Sequence, residues 1–569
     1  MEERRLLLAV ALSLVILTGY SLLFGPGGRP PAEPAPETPA SSAGELLPPT
    51  PSEPQASSLA EGDAEAEVAD EAGVRPAPKV AAEREQRVEV LGPDFTIAFS
   101  NRGARLLSWT LARYRTADDK PEEMVPALNR GPKPLDIETG DATVDERLRQ
   151  ALFVPSTHTL RLTGTSPRTL SFRYADAKVE AVKALTFQGG GLVSISVSVT
   201  SGDQPIQSRL LWGPGIGNPS EEEKDVRGFV EPQAVFLAGG DVERVPASDL
   251  APAGQPLPAV RWVGVASRYF AALLIPAEGS GAAEIRPATL PARPEEEPTV
   301  AAVALVEASR GSPVLLYVGP KDHQALKVLG YGLEHVVPIG DWIGPIVVPL
   351  MRLLRWVHGQ VGNWGWAIVI LTVLINMLMA PLRHYSISNS MKMAKMSPEL
   401  KAIQERYRKV PMMDPRRQKM QEEMGELYAR HGMSMSTQML VGCLPLLLTM
   451  PFLFAFYRVL DISVELRGAS FLWIPDLSHK DPLFITPVLM GVSMYAMQKM
   501  MPSTLDPAQQ RMMMLMPVVL GGMFLAAPAG LNLYWLTANL WSLLQQIVEM
   551  KILQPKAAAT PPKKGRKKR

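Results

Sequence analysis

Polar side chains recur at helical spacing in an otherwise apolar stretch, LNLYWLTANLWSLLQQIVEM at 531–550. Asn532, Trp535, Asn539, Ser542 and Gln546 follow one another at intervals of three or four residues, so they share one face of a helix. A single amide or hydroxyl in a membrane helix usually bonds a neighbouring helix. A whole polar face predicts either a bundle core sealed by hydrogen bonds or a hydrated groove.

A second polar pair interrupts the apolar run AIVILTVLINMLMAPLRH at 367–384. Thr372 and Asn376 lie one helical turn apart, and they can meet the polar face of the later stretch from a neighbouring helix. Arg383 and His384 end the run, where a long cationic side chain normally reaches the lipid headgroups. Together these groups predict binding of polar segments or solutes inside a membrane.

Motifs for covalent or metal chemistry are missing from the sequence. GxxxxGK[ST], HExxH, GxSxG and paired CxxC do not occur in the 569 residues, and Cys443 is the single cysteine. We therefore expect no enzyme activity, no metal site and no cofactor.

The apolar stretches belong to one half of the chain. From Gly25 to Gly340 the sequence is mostly polar or alternating, whereas Trp342 to Leu553 carries long apolar runs, and 25 of the 27 methionines lie at or after Met351. This segregation predicts domains of two solvent classes, which a mean hydropathy of +0.03 conceals.

The first half predicts three segments. Residues 1–25 carry Arg4 and Arg5 before an apolar run, which favours an uncleaved transmembrane signal anchor over a cleaved signal peptide. Residues 26–85 are rich in Pro, Ala and Glu, as is typical of a disordered linker. Short alternating strands such as LVSISVSV, separated by Gly, Pro and Asn turns, predict a β-sandwich over 86–335 that acts as a spacer or docking module.

The second half predicts an interfacial helix followed by membrane spans. DWIGPIVVPLMRLLRWVH at 341–358 has an apolar stripe beside Arg352 and Arg355, which favours an amphipathic helix in the membrane interface over a core helix of the sandwich. Five apolar spans follow, at 364–382, 437–460, 482–500, 512–528 and 531–549. With the anchor they make six. Positive charge at Arg4 and Arg5, in the 383–430 loop and in the tail at 551–569 predicts that both termini are cytoplasmic and the sandwich lies outside.

The loop between the second and third spans predicts a cytoplasmic hairpin at 386–432. Ser397 is expected to cap a helix that begins at Pro398, and Asp414 a helix that begins at Pro415. The second helix has an apolar stripe that is most simply the seam between the two helices, although a methionine-rich surface also suits contact with hydrophobic nascent segments. The stripe consists of Met420, Met424, Leu427, Tyr428 and His431.

A family resemblance rests on six ordered stretches, which are VGNWGWAIVILTVLINMLMAPL, KMSPELKAIQERY, VGCLPLLLTMPFLFAFYRVL, SVELRGASFLWIPDLSHKDP, LMGVSMYAMQKMMP and PVVLGGMFLAAPAGLNLYWLTANLWSLLQQ. In order, they resemble the core of the YidC/Oxa/Alb membrane protein insertases, and the anchor with its large outer domain resembles the Gram-negative bacterial YidC type. The resemblance implies a polytopic α-helical protein of the bacterial inner membrane with a periplasmic β-supersandwich. It also implies an insertase core over 362–550, in which five transmembrane helices surround a hydrophilic groove open to the cytoplasm.

The resemblance also implies which residues line the groove and which partners the protein meets. It places Thr372, Asn376, Tyr534 and Trp535 in the groove, beside Asn532 and Asn539 of the polar face. A basic residue is expected four residues after Thr372, but Asn376 stands there, so Arg383 is the candidate for a displaced cation. Expected partners are nascent inner-membrane proteins, the Sec translocon, membrane lipids and the ribosome through the basic hairpin and tail, with no DNA.

Two other function classes remain open at this point. A secondary transporter could use the polar stripe as a solute site, but inverted repeats typical of that class are not evident among the six spans. A receptor would need a recognisable cytoplasmic output domain, and the hairpin is short for that role.

Overall fold

The computed structural model describes residues 79–553 apart from gaps at 117–118, 128–130, 165, 189–190, 203, 220–229, 277–278, 291–298, 309–311, 341, 408–409, 412–413, 431–449 and 501–506. Strands dominate up to residue 320, and helices follow from residue 323. The predicted anchor, nearly all of the linker, the segment 437–449 and the tail from residue 554 lie outside the described residues.

The β-rich domain is built from three sheets in the described residues. The first sheet has the strand order β4-β3-β2-β1-β7, and the third has the order β15-β18-β19-β12-β5. The second has the order β14-β13-β16-β17-β20-β10-β9-β8-β6, with β11 paired to β10. The strand bounds are β1 Arg87–Leu91, β2 Phe95–Ser100, β3 Arg105–Arg115, β4 Pro121–Glu123, β5 Ile137–Glu138, β6 Val154–Pro155, β7 Thr159–Arg161, β8 Arg168–Ala175, β9 Val179–Phe187, β10 Leu192–Ser201, β11 Gln204–Ile206, β12 Ser208–Trp212, β13 Gln233–Ala238, β14 Asp241–Val245, β15 Gln255–Val260, β16 Trp262–Ala266, β17 Phe270–Pro276, β18 Gly281–Leu290, β19 Thr299–Ala308 and β20 Val314–Pro320.

Alternating side chains put one face of each central strand into a shared core. In β10, Val193, Ile195, Val197 and Val199 are buried while the intervening serines are partly exposed. These valines join residues from all three sheets in one hydrophobic cluster. The β-rich domain predicted from alternation is therefore confirmed.

Helices occupy most of the chain after the last strand. By length and hydropathy, one segment among the described residues, Trp364–Met393, is long and apolar enough to cross a membrane, and Met512–Ala526 is a shorter apolar helix. The helix bounds are α1 Ala142–Gln150, α2 His323–Leu329, α3 Gly344–Val361, α4 Trp364–Arg406, α5 Arg416–Arg430, α6 in its described part at 450–462, α7 Ile485–Met500, α8 Pro507–Met523 and α9 Ala529–Leu553.

α3 joins the β-rich domain to the long helices. Its buried face carries Val347, Leu350 and Leu354, while Leu353 and Trp356 are exposed. One hydrophobic cluster contains this buried face together with Trp262 of β16, other outward residues of the second sheet and the first turns of α4. The β-rich domain and the helices therefore share a continuous apolar contact.

The hairpin differs from its prediction in the first arm. Ser397 caps no helix, because α4 continues without a break through Pro381 and Pro398 to Arg406. Proline in a helix removes one backbone hydrogen bond, but here Met396 and Leu400 on either side of Pro398 pack in the seam with α5, so tertiary contact outweighs the local signal. In the second arm, Asp414 Oδ1 accepts the backbone N–H of Arg416 at 2.8 Å, at the start of α5.

Candidate functional site

α9 buries its polar face and exposes apolar side chains. Asn532 is fully buried, and Asn539 and Gln546 are less than 10% exposed. Leu540, Leu544, Val548 and Ile552 are 46–73% exposed on other faces of the helix. This is the reverse of the pattern in a water-soluble helix, and it is the pattern expected where hydrocarbon surrounds the bundle.

α4 presents a second buried polar pair. Thr372 Oγ1 donates to the carbonyl of Ile368 at 2.6 Å, and Asn376 Nδ2 donates to the carbonyl of Thr372 at 2.7 Å. Both side chains are buried, whereas Leu374 and Leu378 on the outer face are exposed. The Asn376 donor is therefore held by its own helix, and α4 packs its polar side inward, as α9 does.

Three polar contacts connect α4 to α9 near the end of the apolar run. An Arg383 guanidinium N–H donates to Ser542 Oγ. Gln545 Nε2 donates to the carbonyl of Ala380 at 3.0 Å, and His384 Nδ1 lies 3.4 Å from Glu549 Oε2. We call this set of contacts the α4–α9 clasp.

The clasp fixes where the Arg383 charge meets α9. The guanidinium bonds Ser542, which shares the polar face of α9 with Asn539 and Gln546. The Arg383 charge is therefore held beside that face.

The aromatic pair and Asn532 contact other elements. Tyr534 stacks on Phe456 of α6, with ring centroids 4.1 Å apart and planes 14° apart. Trp535 meets Phe524 edge-on at 4.8 Å, and Asn532 Nδ2 donates to the carbonyl of Phe524 at 3.1 Å. Asn532 and Trp535 therefore hold the turn before α9, while Thr372 and Asn376 are buried on α4 and Asn539 is buried on α9.

Several buried polar atoms of α9 have no hydrogen-bond partner within the described part of the protein. They include Asn532 Oδ1, Asn539 Nδ2, Trp541 Nε1 and Gln545 Oε1. A buried polar group without a partner costs about 1–3 kcal/mol, and native proteins leave few of them. Water or a polar guest that met this helix would supply the missing hydrogen-bond partners.

Comparison with known proteins decides the family. Residues 87–353 match the YidC periplasmic domain, and residues 356–556 match the family described as 60Kd inner membrane protein. The membrane protein insertase YidC of Geobacter metallireducens is 34% identical over 96% of this chain and 97% of its own length. The chain belongs to the YidC family of membrane protein insertases.

A second relative matches nearly the full length of the chain. YidC of Wolinella succinogenes is 31% identical over 98% of this chain and 97% of its own length. A crystal structure of YidC from Thermotoga maritima aligns with 83% of this chain and 99% of its own, at 15% identity and a TM-score of 0.29. These YidC relatives are named insertases and not enzymes, which supports the insertase prediction over the transporter alternative.

Sequence reasoning missed three residues of α9 in this YidC-family chain, which are Glu549, Gln545 and Trp541. Glu549 lies three residues after Gln546, which continues the intervals of three and four, and its side chain is 8% exposed. The same periodicity that identified Asn532 to Gln546 would have found it. Gln545 and Trp541 were missed for a different reason, because they lie beside that face and only the packing reveals their burial.

The hairpin residues of this YidC-family chain lie in the seam between α4 and α5. Tyr428 and Leu427 are buried against Met396, Leu400 and Ile403, and Met420 and Met424 are half-buried at the edge of the same cluster. Glu423 accepts hydrogen bonds from Arg406 at 2.9 Å and from the Tyr407 hydroxyl at 2.8 Å. His431 lies outside the described residues.

Proposed function

We propose that this chain inserts nascent inner-membrane proteins through a hydrated groove between α4 and α9. The observation that carries the proposal is the inverted burial of these helices, which expose leucine and valine and enclose Thr372, Asn376 and Asn539. The unpartnered polar atoms of Asn539 and Gln545 support the presence of water there.

The groove lowers the barrier for moving a polar tail. A substrate helix gains roughly 0.3–0.6 kcal/mol for each Leu-like residue that enters the bilayer, so the substrate itself supplies several kcal/mol of driving force. One charge at the bilayer centre opposes this with about 2.5–3.5 kcal/mol. Because Asn376 and Asn539 can hydrogen-bond the tail, they shorten the dry part of its path. No nucleotide is needed for such a step.

The groove works mainly through neutral polar groups. Asn376 occupies the position where the family resemblance implies a cation, and the Arg383 guanidinium instead bonds Ser542 on the polar face of α9. Arg383 therefore adds positive charge to that face rather than at the position of the amide. Tyr534 and Trp535 shape the other end of α9 through their contacts with Phe456 and Phe524.

The topology that fits this mechanism has six spans. The anchor at 1–25 and the spans at 364–382, 437–460, 482–500, 512–528 and 531–549 place both termini in the cytoplasm and the β-rich domain in the periplasm. Eleven Lys or Arg residues between Arg383 and Arg430 favour that orientation.

The partners beyond the substrate follow from surface chemistry. The hairpin at 386–432 and the tail at 551–569 are basic, so they attract ribosomal RNA and anionic lipid headgroups. Met420, Met424 and Tyr428 offer a nearby apolar edge to an emerging segment. The protein works either alone or with the Sec translocon, as the family resemblance implies.

Depletion of the protein, followed by quantification of inner-membrane proteins, tests the function as a whole. Normal membrane insertion after depletion would exclude the insertase function. Complementation with Asn376→Leu then tests the groove, because this change removes the amide and keeps the branching of the side chain. We expect slower insertion of a small single-span substrate. Leu378→Val, two residues away on the exposed face, is the matched control and should insert normally. Full activity of Asn376→Leu would contradict the role of the amide.

Arg383→Ala is the companion experiment. A mild defect is expected if neutral groups dominate the groove. A defect more severe than that of Asn376→Leu would show that the cation has moved along the helix and carries the main role.

A further inference from the structure

Glu549 is a buried carboxylate on a helix that otherwise exposes leucine and valine. Its Oε1 accepts the Gln545 Nε2 hydrogen bond at 2.7 Å, and its Oε2 lies 3.4 Å from His384 Nδ1. The side chain of His384 is 57% exposed, so its ring sits at the mouth of the contact and not inside it. A carboxylate in such a place is expensive to bury, and charged groups within membrane bundles usually mark a pathway.

Arg383 and Glu549 place opposite charges at two depths along α9. The Arg383 guanidinium bonds Ser542, and Glu549 follows seven residues later, about 10 Å further along the helix axis. In the proposed topology the C-terminal end of α9 faces the cytoplasm, so a tail that enters from there passes Glu549 first and the Arg383 charge second. Ser542 and Glu549 both lie on the polar face, and Gln546 lies between them.

We propose that Glu549 is a specificity-determining residue that sorts translocated tails by charge, favouring neutral or basic tails over acidic ones at the mouth of the groove. This inference rests on the proposed function. Arg383 acts in the opposite sense at the deeper position, where it attracts an acidic group. Translocation of a tail therefore depends on the order of the charged residues along the tail as well as on its net charge.

The size of the effect follows from the environment of the mouth. Two unit charges about 5–6 Å apart interact measurably at an effective dielectric constant near 20, and the interaction becomes small in bulk water. A groove that is partly hydrated lies between these limits, so we expect about threefold to tenfold discrimination from one charge.

A structural role for Glu549 makes a different prediction. The carboxylate also accepts from Gln545, whose other N–H bonds α4 at the Ala380 carbonyl. Loss of this link alone would loosen the clasp and slow the translocation of every tail equally. A charge filter therefore changes the ratio of the translocated fractions of acidic and basic tails, whereas a packing role changes only the total amount translocated.

The experiment uses the full-length protein in depleted cells and single-span substrates whose short tails differ only by Asp, Asn or Lys at one position. Protease protection of the tail gives the translocated fraction. Glu549→Gln keeps the shape and removes the charge, and we expect it to raise the Asp-to-Lys ratio by about threefold to tenfold. Arg383→Gln should lower that ratio. Glu549→Asp keeps the charge and should stay close to the wild-type ratio.

Gln545→Leu is the control for the clasp, since it breaks the link to Ala380 without altering charge. It should reduce the translocated fraction of all three tails by the same factor. An unchanged Asp-to-Lys ratio in Glu549→Gln, at normal or uniformly reduced insertion, overturns the charge filter. That result leaves the groove intact, because the groove fails instead if Asn376→Leu and Asn539→Leu insert every tail at the wild-type level.

Discussion

Arg467 and Glu122 form an ion pair that joins the helices to the β-rich domain. Arg467 lies in the loop after α6 and Glu122 lies in β4, 345 residues earlier, with N and O atoms 2.6 Å apart. Both side chains are less than 10% exposed, and the Arg467 guanidinium also lies over the ring of Phe270 at 5.7 Å. The pair therefore sits inside the junction between the β-rich domain and the helices.

Removal of one partner of this pair should destabilise the junction strongly. Arg467→Met leaves Glu122 buried without its cation, which costs about 3–5 kcal/mol, whereas the double change Arg467→Met with Glu122→Met replaces both charges by apolar groups and should recover much of the loss. Thermal unfolding of the purified full-length protein measures both. Equal destabilisation by the single and the double change would contradict the coupling.

The burial of Lys183 predicts that the stability of the β-rich domain depends on pH. It occupies an inward position of β9, and its Nζ donates to the carbonyl of Ala104 at 2.8 Å and to the carbonyl of Leu135 at 2.5 Å. Burial lowers the pKa of this amine to about 7, with Asp136 acting against the shift and Arg105 adding to it. A neutral amine still has two N–H groups, enough for both carbonyls.

The sign follows from proton binding. Between about pH 7 and pH 10 the unfolded chain keeps Lys183 protonated and the folded domain does not, so the free energy of unfolding rises with pH by about 1 kcal/mol per unit. Lys183→Met should remove this slope, although it lowers the overall stability by leaving two carbonyls unpaired. Urea unfolding at pH 7.5 and pH 9, followed by tryptophan fluorescence, compares the two proteins. If the free energy of unfolding changed equally with pH in the wild type and in Lys183→Met, Lys183 would not be neutral in the folded domain.

The large-scale organisation was predictable because it depends on periodicity. Alternation over β10 and intervals of three and four residues in α9 are local patterns, and each encodes which face is buried. The same rule placed Thr372 and Asn376 on one side of α4. What those faces bury against is a property of other chain segments, so the clasp partners of Arg383 could not be read from local sequence.

The misses have separate physical causes. The continuous α4 was not predicted because Pro398 and Ser397 are strong local signals for a helix start, yet the seam with Leu427 outweighs them. The hydrogen bond from the Asn532 amide to the Phe524 carbonyl was not predicted either, because spacing along one helix does not encode it. Hydrogen bonds between segments distant in sequence leave no periodic trace.

Gly365 allows the ring of Phe471 to pack closely against the start of α4. A Cβ at this position would overlap the ring of Phe471, which also meets Trp366 edge-on at 5.4 Å. Gly365→Ala should therefore displace the Phe471 ring and cost about 1–3 kcal/mol through overpacking. Adding Phe471→Ala should relieve part of the strain. Gly359→Ala in α3, where nothing lies within 4 Å, is the matched control and should unfold at the wild-type temperature or above.

The seam between α4 and α5 separates two roles for the methionine stripe. Leu427 is buried against α4, so Leu427→Ala should cost about 2–5 kcal/mol and speed amide hydrogen exchange throughout α5. Met420 and Met424 are only half-buried at the edge of the seam. Changing both to Ser should affect exchange much less, because less apolar surface leaves the seam.

Crosslinking to a nascent substrate completes the comparison. If the exposed edge receives hydrophobic segments, Met420→Ser with Met424→Ser should reduce crosslinks from the hairpin to the substrate while α5 remains protected from exchange. Arg430→Gln, at an exposed position of the same helix, serves as the control. Loss of protection in the double serine variant, at unchanged crosslinking, would assign the methionines to the seam alone.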